Sequence, residues 1–277
     1  MKKIINRIIA IYKDISSWGN TTLDSKRRWW FALLLLPIIA IIVTSVMLIQ
    51  AFVPYRVAKS EYDALREIMA DVITDSLPAS DPDYTSVFDS PSGFDLEDPI
   101  ITEPARTLTI NNPDYVAWIR IAGMGLDYPI VRGSDNEKYM DTTFGGNKNP
   151  AGTIFMDFRI TDGFTAPYVI LYGHNMRDGS MFGSLSSYQR DNFLKNHSHI
   201  SIIKPNGQIL NYRVFAAVLV DVQDEVFTLI GKDDNEIATY FATHNAPDNS
   251  KRFLVLSTCT RNNNDDERFL VFASLEN

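Results

Sequence analysis

Cysteine occurs once in the 277 residues, at Cys259, and histidine four times, at His174, His197, His199 and His244. A single thiol excludes an intramolecular disulfide, so the fold must rest on its core. The chain has no dinucleotide or phosphate-loop glycine pattern, no internal repeat and no spacing that reads as a metal cluster, so no cofactor and no metal is expected. Basic residues are also in deficit: 26 Lys and Arg face 34 Asp and Glu, for a net charge of −8. Seven of those basic residues fall within positions 1–28, beside only Asp14 and Asp24, so the remainder is more acidic than the total suggests. An acidic body lacks the phosphate contacts that give affinity for nucleic acid, and no nucleic-acid partner is expected.

Charge is missing altogether from "WWFALLLLPIIAIIVTSVMLIQAFV", residues 29–53. As a helix this run spans roughly 38 Å, enough to cross a hydrocarbon core of about 30 Å. Trp29 and Trp30 suit the headgroup boundary, and Lys26, Arg27 and Arg28 beside them are expected to stay cytoplasmic. The run exceeds the apolar core of a cleaved signal peptide, about 7–15 residues. The sequence thus predicts a cytoplasmic basic segment (1–28), a retained single-pass anchor in the cell membrane (29–53) and an extracellular remainder.

Beyond the anchor, "SEYDALREIMADVI" places Tyr62, Leu65, Ile68, Met69 and Val72 on one stripe, predicting a juxtamembrane amphipathic helix over 54–75. Residues 76–107 are acidic, rich in Pro and Ser and without a period, and read as a tether. From residue 108 onward the texture changes to short runs rich in β-branched and aromatic residues: "YVAWIRIAG", "LDYPIVRG", "GTIFMD", "PYVILYGH", "HISIIKP", "ILNYRVFAAVLVDV", "RFLVLSTC" and "RFLVFASL". Asn-Gly in "KPNGQ" signals a hairpin. One helix is expected in "DDNEIATYFATHNA", with Asp233 as its cap, and another after Ser180. Eight strands separated by turns predict a mainly β fold closed, or nearly closed, into a barrel with a few short helices.

Cys259 stands where an apolar run ends and the polar stretch "TRNNNDDE" begins. If the last two strands form a symmetric hairpin, Phe253 to Cys259 pairs with Arg268 to Ser274, and Cys259 faces Arg268. A thiolate needs a proton-handling group beside it to attack a carbonyl, and a donor aimed at the developing oxyanion. Arg268 supplies N–H groups that stay charged. His174 ends the run "YVILYGH" at a turn, the same strand-end placement as Cys259. Taken singly, each residue has a plain structural use: the cysteine as an apolar filler, the other two as solvated surface groups. Together they point to a Cys–His–Arg site.

"LSTCT", with Arg268 nine residues after the cysteine and then "FLVFASL", resembles the active-site strand pair of sortases. "YGHNMRDGSMFGSL" resembles the histidine segment of class B of that family. "NPDYVAWIRIAG", "YPIVRGSDNEKYM" and "AGTIFMDFR" resemble its early strands, and the likeness covers about residues 108–275. The resemblance implies an eight-stranded sortase barrel as the catalytic domain (108–277) of a cysteine transpeptidase of Gram-positive envelopes. By position it implies Cys259 as nucleophile, His174 as proton donor and acceptor, and Arg268 as oxyanion holder. It implies Ser257 and Thr260 as further substrate contacts, with Asn136 and Met140 lining the groove from a helix after the second strand. Thr260 departs from the acidic residue that some class B members carry there. The implied partners are surface proteins with a C-terminal sorting signal, and an amine acceptor from peptidoglycan precursor. A pilin lysine is the alternative acceptor, in which case Asp81-Pro82 could belong to a lid. A non-catalytic membrane-tethered binding domain, with Cys259 buried and idle, is the alternative from another class.

Overall fold

The computed structural model describes residues 25–76, 101–190, 192–260 and 266–276, with positions 6, 7, 9–11, 13 and 14; the side chains of 25–34, 51 and 71–76 are excepted. The chain divides into two units, Met1–Val53 and Pro54–Asn277.

In the first unit, helix α1 (Ser25–Ser76) begins and carries the uncharged run. Of its described side chains in this unit, Leu36, Ile41, Met47 and Ile49 are among those that stay exposed. Among the described residues one helical stretch, Leu35–Ala70, is long and apolar enough to cross a membrane.

In the second unit the remaining part of α1 buries Ala58, Tyr62, Leu65 and Met69 on one face, at the spacing of an amphipathic helix. Ile68 is half-buried against them, and the side chain of Val72 lies outside the described residues. Most of the expected tether, including Asp81-Pro82, also lies outside them. Its last residues differ from the expectation, because helix α2 (Glu103–Asn111) begins inside it. Thr102 accepts a hydrogen bond from Ala105 N, a proline occupies the first turn, and Ala105 and Leu108 are buried. A cap, a first-turn proline and two anchoring side chains suffice where no long apolar period exists.

Eight strands follow: β1 (Tyr115–Ile121), β2 (Leu126–Val131), β3 (Ile154–Met156), β4 (Tyr168–Tyr172), β5 (His199–Ile203), β6 (Ile209–Asp221), β7 (Phe253–Cys259) and β8 (Glu267–Leu275). Each lies in one of the eight predicted runs, except that β8 begins one residue earlier, at Glu267. They close into a barrel in the order β1-β2-β3-β4-β7-β8-β6-β5. The pairs β2–β3 and β4–β7 are parallel, and the rest are antiparallel. Asn206-Gly207 turns β5 into β6 as expected. Trp118, Ile119, Ile170, Leu254 and Phe272 are among the fully buried side chains, and successive ones such as Trp118 and Ile119 are buried on opposite faces of the barrel wall.

Short helices are few. α3 (Phe193–Asn196) is one turn, and a 3-10 helix covers Gly183–Gln189, where a helix after Ser180 is expected. α4 (Asp234–Ala242) starts on Asp233, whose carboxylate accepts from Asn235 N and Glu236 N. It seats Phe241 against Phe253 with ring centroids 4.3 Å apart.

One expectation fails here. Residues 134–141, carrying Asn136 and Met140, form turns and bends rather than a helix. Asp135 Oδ1 takes Glu137 N and Lys138 N, and Asn136 Oδ1 takes Phe158 N from outside the segment. The Asp135 bonds are those of a helix cap, but only one turn follows, Met140 N to Glu137 O. The carbonyls of Tyr139 and Asp141 are taken by Thr153 N and Asn149 N from outside the segment.

Candidate active site

The register of the last two strands is the expected one. Phe253 pairs with Ser274 and Cys259 with Arg268, at the end of the hairpin. β7 is buried along its length until Cys259, which is exposed. Strand β4 runs parallel to β7, with Tyr172 opposite Ser257. Parallel strands end at the same side of a sheet, so the turn after β4 arrives beside Cys259. Gly173 continues the pairing by donating its N–H to Ser257 O (3.2 Å). Thr258 Oγ1 donates to Gly173 O (2.7 Å). Asn175 Nδ2 donates to Cys259 O (2.7 Å). Three bonds therefore tie the His174 turn to the cysteine strand. Gly173 is required by close approach: a Cβ there would lie 2.8 Å from the Phe182 ring.

The His174 Nε2 lies 2.5 Å from Met140 O. A carbonyl only accepts, so Nε2 carries the proton in this geometry. Gly152 packs against the same segment, its missing side chain leaving room for the carbonyls of Tyr139 and Met140.

A cavity of about 290 Å³ opens at this end of the barrel, lined by Cys259, His174, Arg268, Ser257, Asn136 and Met140, together with Thr153, Phe155, Tyr172, Gly173 and Thr258. Six of the seven residues singled out from the sequence thus line one cavity. Thr260, just past β7, is not among the lining residues. The Arg268 guanidinium donates from Nη1 to Glu267 O (2.9 Å). Met140 is 49% exposed at the rim. Ser257 is only 2% exposed, and its buried Oγ has no hydrogen-bond partner among the described residues.

Behind the cavity lies a group not anticipated from the sequence. Asp157, fully buried, accepts from Arg159 Nε and Nη2 (both 2.8 Å), from Arg159 N (3.0 Å), from Asn136 Nδ2 (2.9 Å) and from Tyr172 OH (3.1 Å). Burial opposes the charged form of Asp157, but the bonds from Arg159 and Asn136 outweigh it and hold the carboxyl below its ordinary 3.8. Tyr172 is pushed upward by burial and by the Asp157 charge, so its hydroxyl keeps its proton and donates. Two lining residues, Asn136 and Tyr172, are thereby fixed by one carboxylate. The signal available in the sequence was weak: Tyr172 and Ser257 sit two positions before His174 and Cys259, the spacing of a shared strand face. The Asp-Phe-Arg that follows β3 gave no sign of a buried ion pair.

No group of three or more His, Cys, Asp or Glu among the described residues could hold a metal. His197, His199 and His244 bond elsewhere, to Ala122 O, Ser198 Oγ and Tyr240 O respectively.

Comparison with known proteins bears on the family and the fold. A family model described as the sortase domain matches residues 119–276. Over 114 residues the chain is 38% identical to Sortase B of Listeria monocytogenes, covering 41% of this chain and 45% of that protein. Over 147 residues it is 29% identical to Sortase B of Staphylococcus aureus, covering 53% and 57%. The matched stretches span about half the length of these relatives. Among solved structures, a Staphylococcus aureus sortase B–substrate complex superposes with a TM-score of 0.63 at 21% identity, covering 80% of this chain and 97% of that one, a likeness of fold. A Streptococcus pyogenes class B sortase involved in pilus biogenesis gives 0.55 at 28% identity, covering 62% and 97%.

Proposed function

From the premise that the chain belongs to the sortase family, in its class B, we propose that it is a membrane-anchored cysteine transpeptidase. The observation that carries this reading is the convergence of Cys259, His174 and Arg268 on one cavity, through an antiparallel pairing and a parallel one.

A peptide segment of a partner's C-terminal sorting signal enters the cavity, short and containing Pro and Thr. The Cys259 thiolate attacks the carbonyl after the Thr and forms a C–S bond. The charge that develops on oxygen is met by the Arg268 guanidinium, whose N–H groups suit an oxyanion. As the C–N bond breaks, imidazolium His174 gives its proton to the departing amine and leaves a thioester. An acceptor amine then attacks that thioester, passes a proton to His174 and expels the thiolate. Ser257 Oγ, buried without a partner, supplies a hydrogen bond for the bound peptide. Asn136 and Met140 contribute to the groove, and Thr260 meets the leaving side of the substrate.

Residues 29–53 hold the enzyme in the membrane. The Lys26-Arg27-Arg28 cluster keeps the N-terminus cytoplasmic and the domain beyond residue 108 outside. The acceptor is a cell-wall amine. The likeness to a class B sortase involved in pilus biogenesis supports a second reading, in which the acceptor is a pilin lysine. Against an idle, non-catalytic cysteine stands the exposure of Cys259 at the cavity.

The test is cleavage of a fluorogenic sorting peptide by wild type and by Cys259→Ala. Wild type should turn over and release thioester-derived product faster when an amine is added, while the variant should be inert. Equal rates would end the assignment. Offering a wall-precursor amine and a lysine-bearing pilin side by side distinguishes the two acceptors.

A further inference from the structure

The groove loop is fastened from behind by the part of α1 that follows residue 53. Tyr62 is 2% exposed, and its hydroxyl donates to Gly152 O (2.5 Å) and lies 3.1 Å from Thr153 Oγ1. Thr153 in turn ties the two limbs of the loop together. Its N–H donates to Tyr139 O (3.0 Å) and its Oγ1 to Thr142 O (2.8 Å). Between these two acceptors lies Met140, whose carbonyl receives His174 Nε2. The neighbouring Glu61 carboxylate accepts from Gly145 N (2.7 Å) and Thr143 Oγ1 (2.9 Å). One helical turn and more before that, Pro54 O accepts from Asn149 Nδ2 (2.8 Å).

We propose that Tyr62, assisted by Glu61, is a positioning residue for His174: the helix sets the height of the Met140 carbonyl, and that carbonyl sets the imidazole. A covering helix needs only apolar bulk, which Ala58, Leu65 and Met69 already supply. A hydroxyl placed on the loop backbone, next to a carboxylate capping the adjoining turn, does something that burial alone does not. The sequence of bonds is continuous from Tyr62 to Gly152 and Thr153, to the 139–142 limb, and to the imidazole. A displacement of an ångström at a proton-transfer group far from the mutated side chain is enough to slow chemistry by up to about 100-fold. The proposal rests on the reading of His174 as the proton carrier.

The experiment uses the full chain in detergent micelles and compares Tyr62→Phe, Glu61→Gln and Leu65→Ala. Phe keeps the ring and its edge-on contact with Tyr128, centroids 5.3 Å apart. Tyr62→Phe should lower kcat on the sorting peptide about tenfold with KM within about twofold, and should shift the His174 imidazole NMR resonances. Glu61→Gln should do the same to a lesser degree, about threefold, and serves if Tyr62→Phe fails to fold. Leu65→Ala should lower Tm through its cavity yet leave kcat and the imidazole resonances near wild type. Unchanged kcat and resonances in the first two variants would overturn the proposal, and so would Leu65→Ala reproducing their effects. The resonances report on His174 without turnover, so the proposal can fail while cleavage by wild type still depends on Cys259, and the transpeptidase reading can fail while the imidazole still responds to Tyr62.

Discussion

The two walls of the cavity are built in different ways. One wall is the ends of β4, β7 and β8, where Tyr172, Ser257, Cys259 and Arg268 occupy rungs of a continuous backbone ladder. The other is the loop from Ser134 to Thr153, which lacks a ladder beyond a single bridge between Thr142 and Lys148. It is held by side chains: Lys138 and Tyr139 on Asp114, Asn112 on Phe144 O, and Glu61 and Tyr62 from α1. The ladder wall is fixed by many equivalent bonds, so no single side chain sets its position. The loop wall is set by a few unlike contacts across long sequence separations, 90 residues between Tyr62 and Gly152. Precision on that side is therefore vulnerable to changes far from the chemistry.

The sharpest way to break this contrast is Gly152→Ala. Gly152 has φ +58°, and a Cβ there would lie 2.5 Å from Tyr139 O and 2.7 Å from Met140 O. Both atoms are backbone, so the loop must move. Cleavage should fall by about 100-fold, with a lower Tm, while the β7–β8 hairpin keeps its register by amide NMR.

On the ladder wall the expected effect is smaller and falls on binding. Ser257→Ala removes a buried hydroxyl that has no hydrogen-bond partner among the described residues. Tm should stay level or rise, and KM should increase about tenfold, the worth of roughly 1.4 kcal/mol in one hydrogen bond to bound peptide. A fall in Tm with KM unchanged would show that the hydroxyl serves the fold instead.

Asp157 joins the two walls, taking Asn136 from the loop and Tyr172 from β4, so Asp157→Asn acts through stability, lowering Tm at neutral pH, and changes cleavage least of the three. Its carboxyl titrates lower in the folded protein than when unfolded, so its contribution to stability is present above about 3.8 and is lost as pH falls through the folded value. Wild type should therefore lose Tm progressively below about pH 4, and the variant should show a shallower acid limb. A limb of equal slope in both proteins would remove Asp157 from the account.

Much of this arrangement was legible in the residues themselves. Short apolar runs bounded by turn residues located all eight strands, because a buried strand and a polar turn differ in composition at short range. Asp233 as a cap and Asn206-Gly207 as a turn are likewise local. The pairing of Cys259 with Arg268 was readable because a hairpin's register follows from loop symmetry over a short separation. The resemblance implies a helix under Asn136 and Met140, and none forms there; Asp157 and Phe158, which hold Asn136, and Thr153, which bonds the residues flanking Met140, come from later in the chain. Helix α2 was missed because three local devices replace a period.

Local chemistry in the sequence thus determined the strands, the cysteine–arginine hairpin and the uncharged helix. Only the tertiary structure decided that β4 lies parallel to β7, which brings Gly173 into contact with Thr258 across 85 residues. Parallel partners share no turn, and their register depends on everything packed between them, so no short stretch of residues encodes it. The same holds for the bond from Tyr62 to Gly152, which exists only because the barrel and the helix pack together.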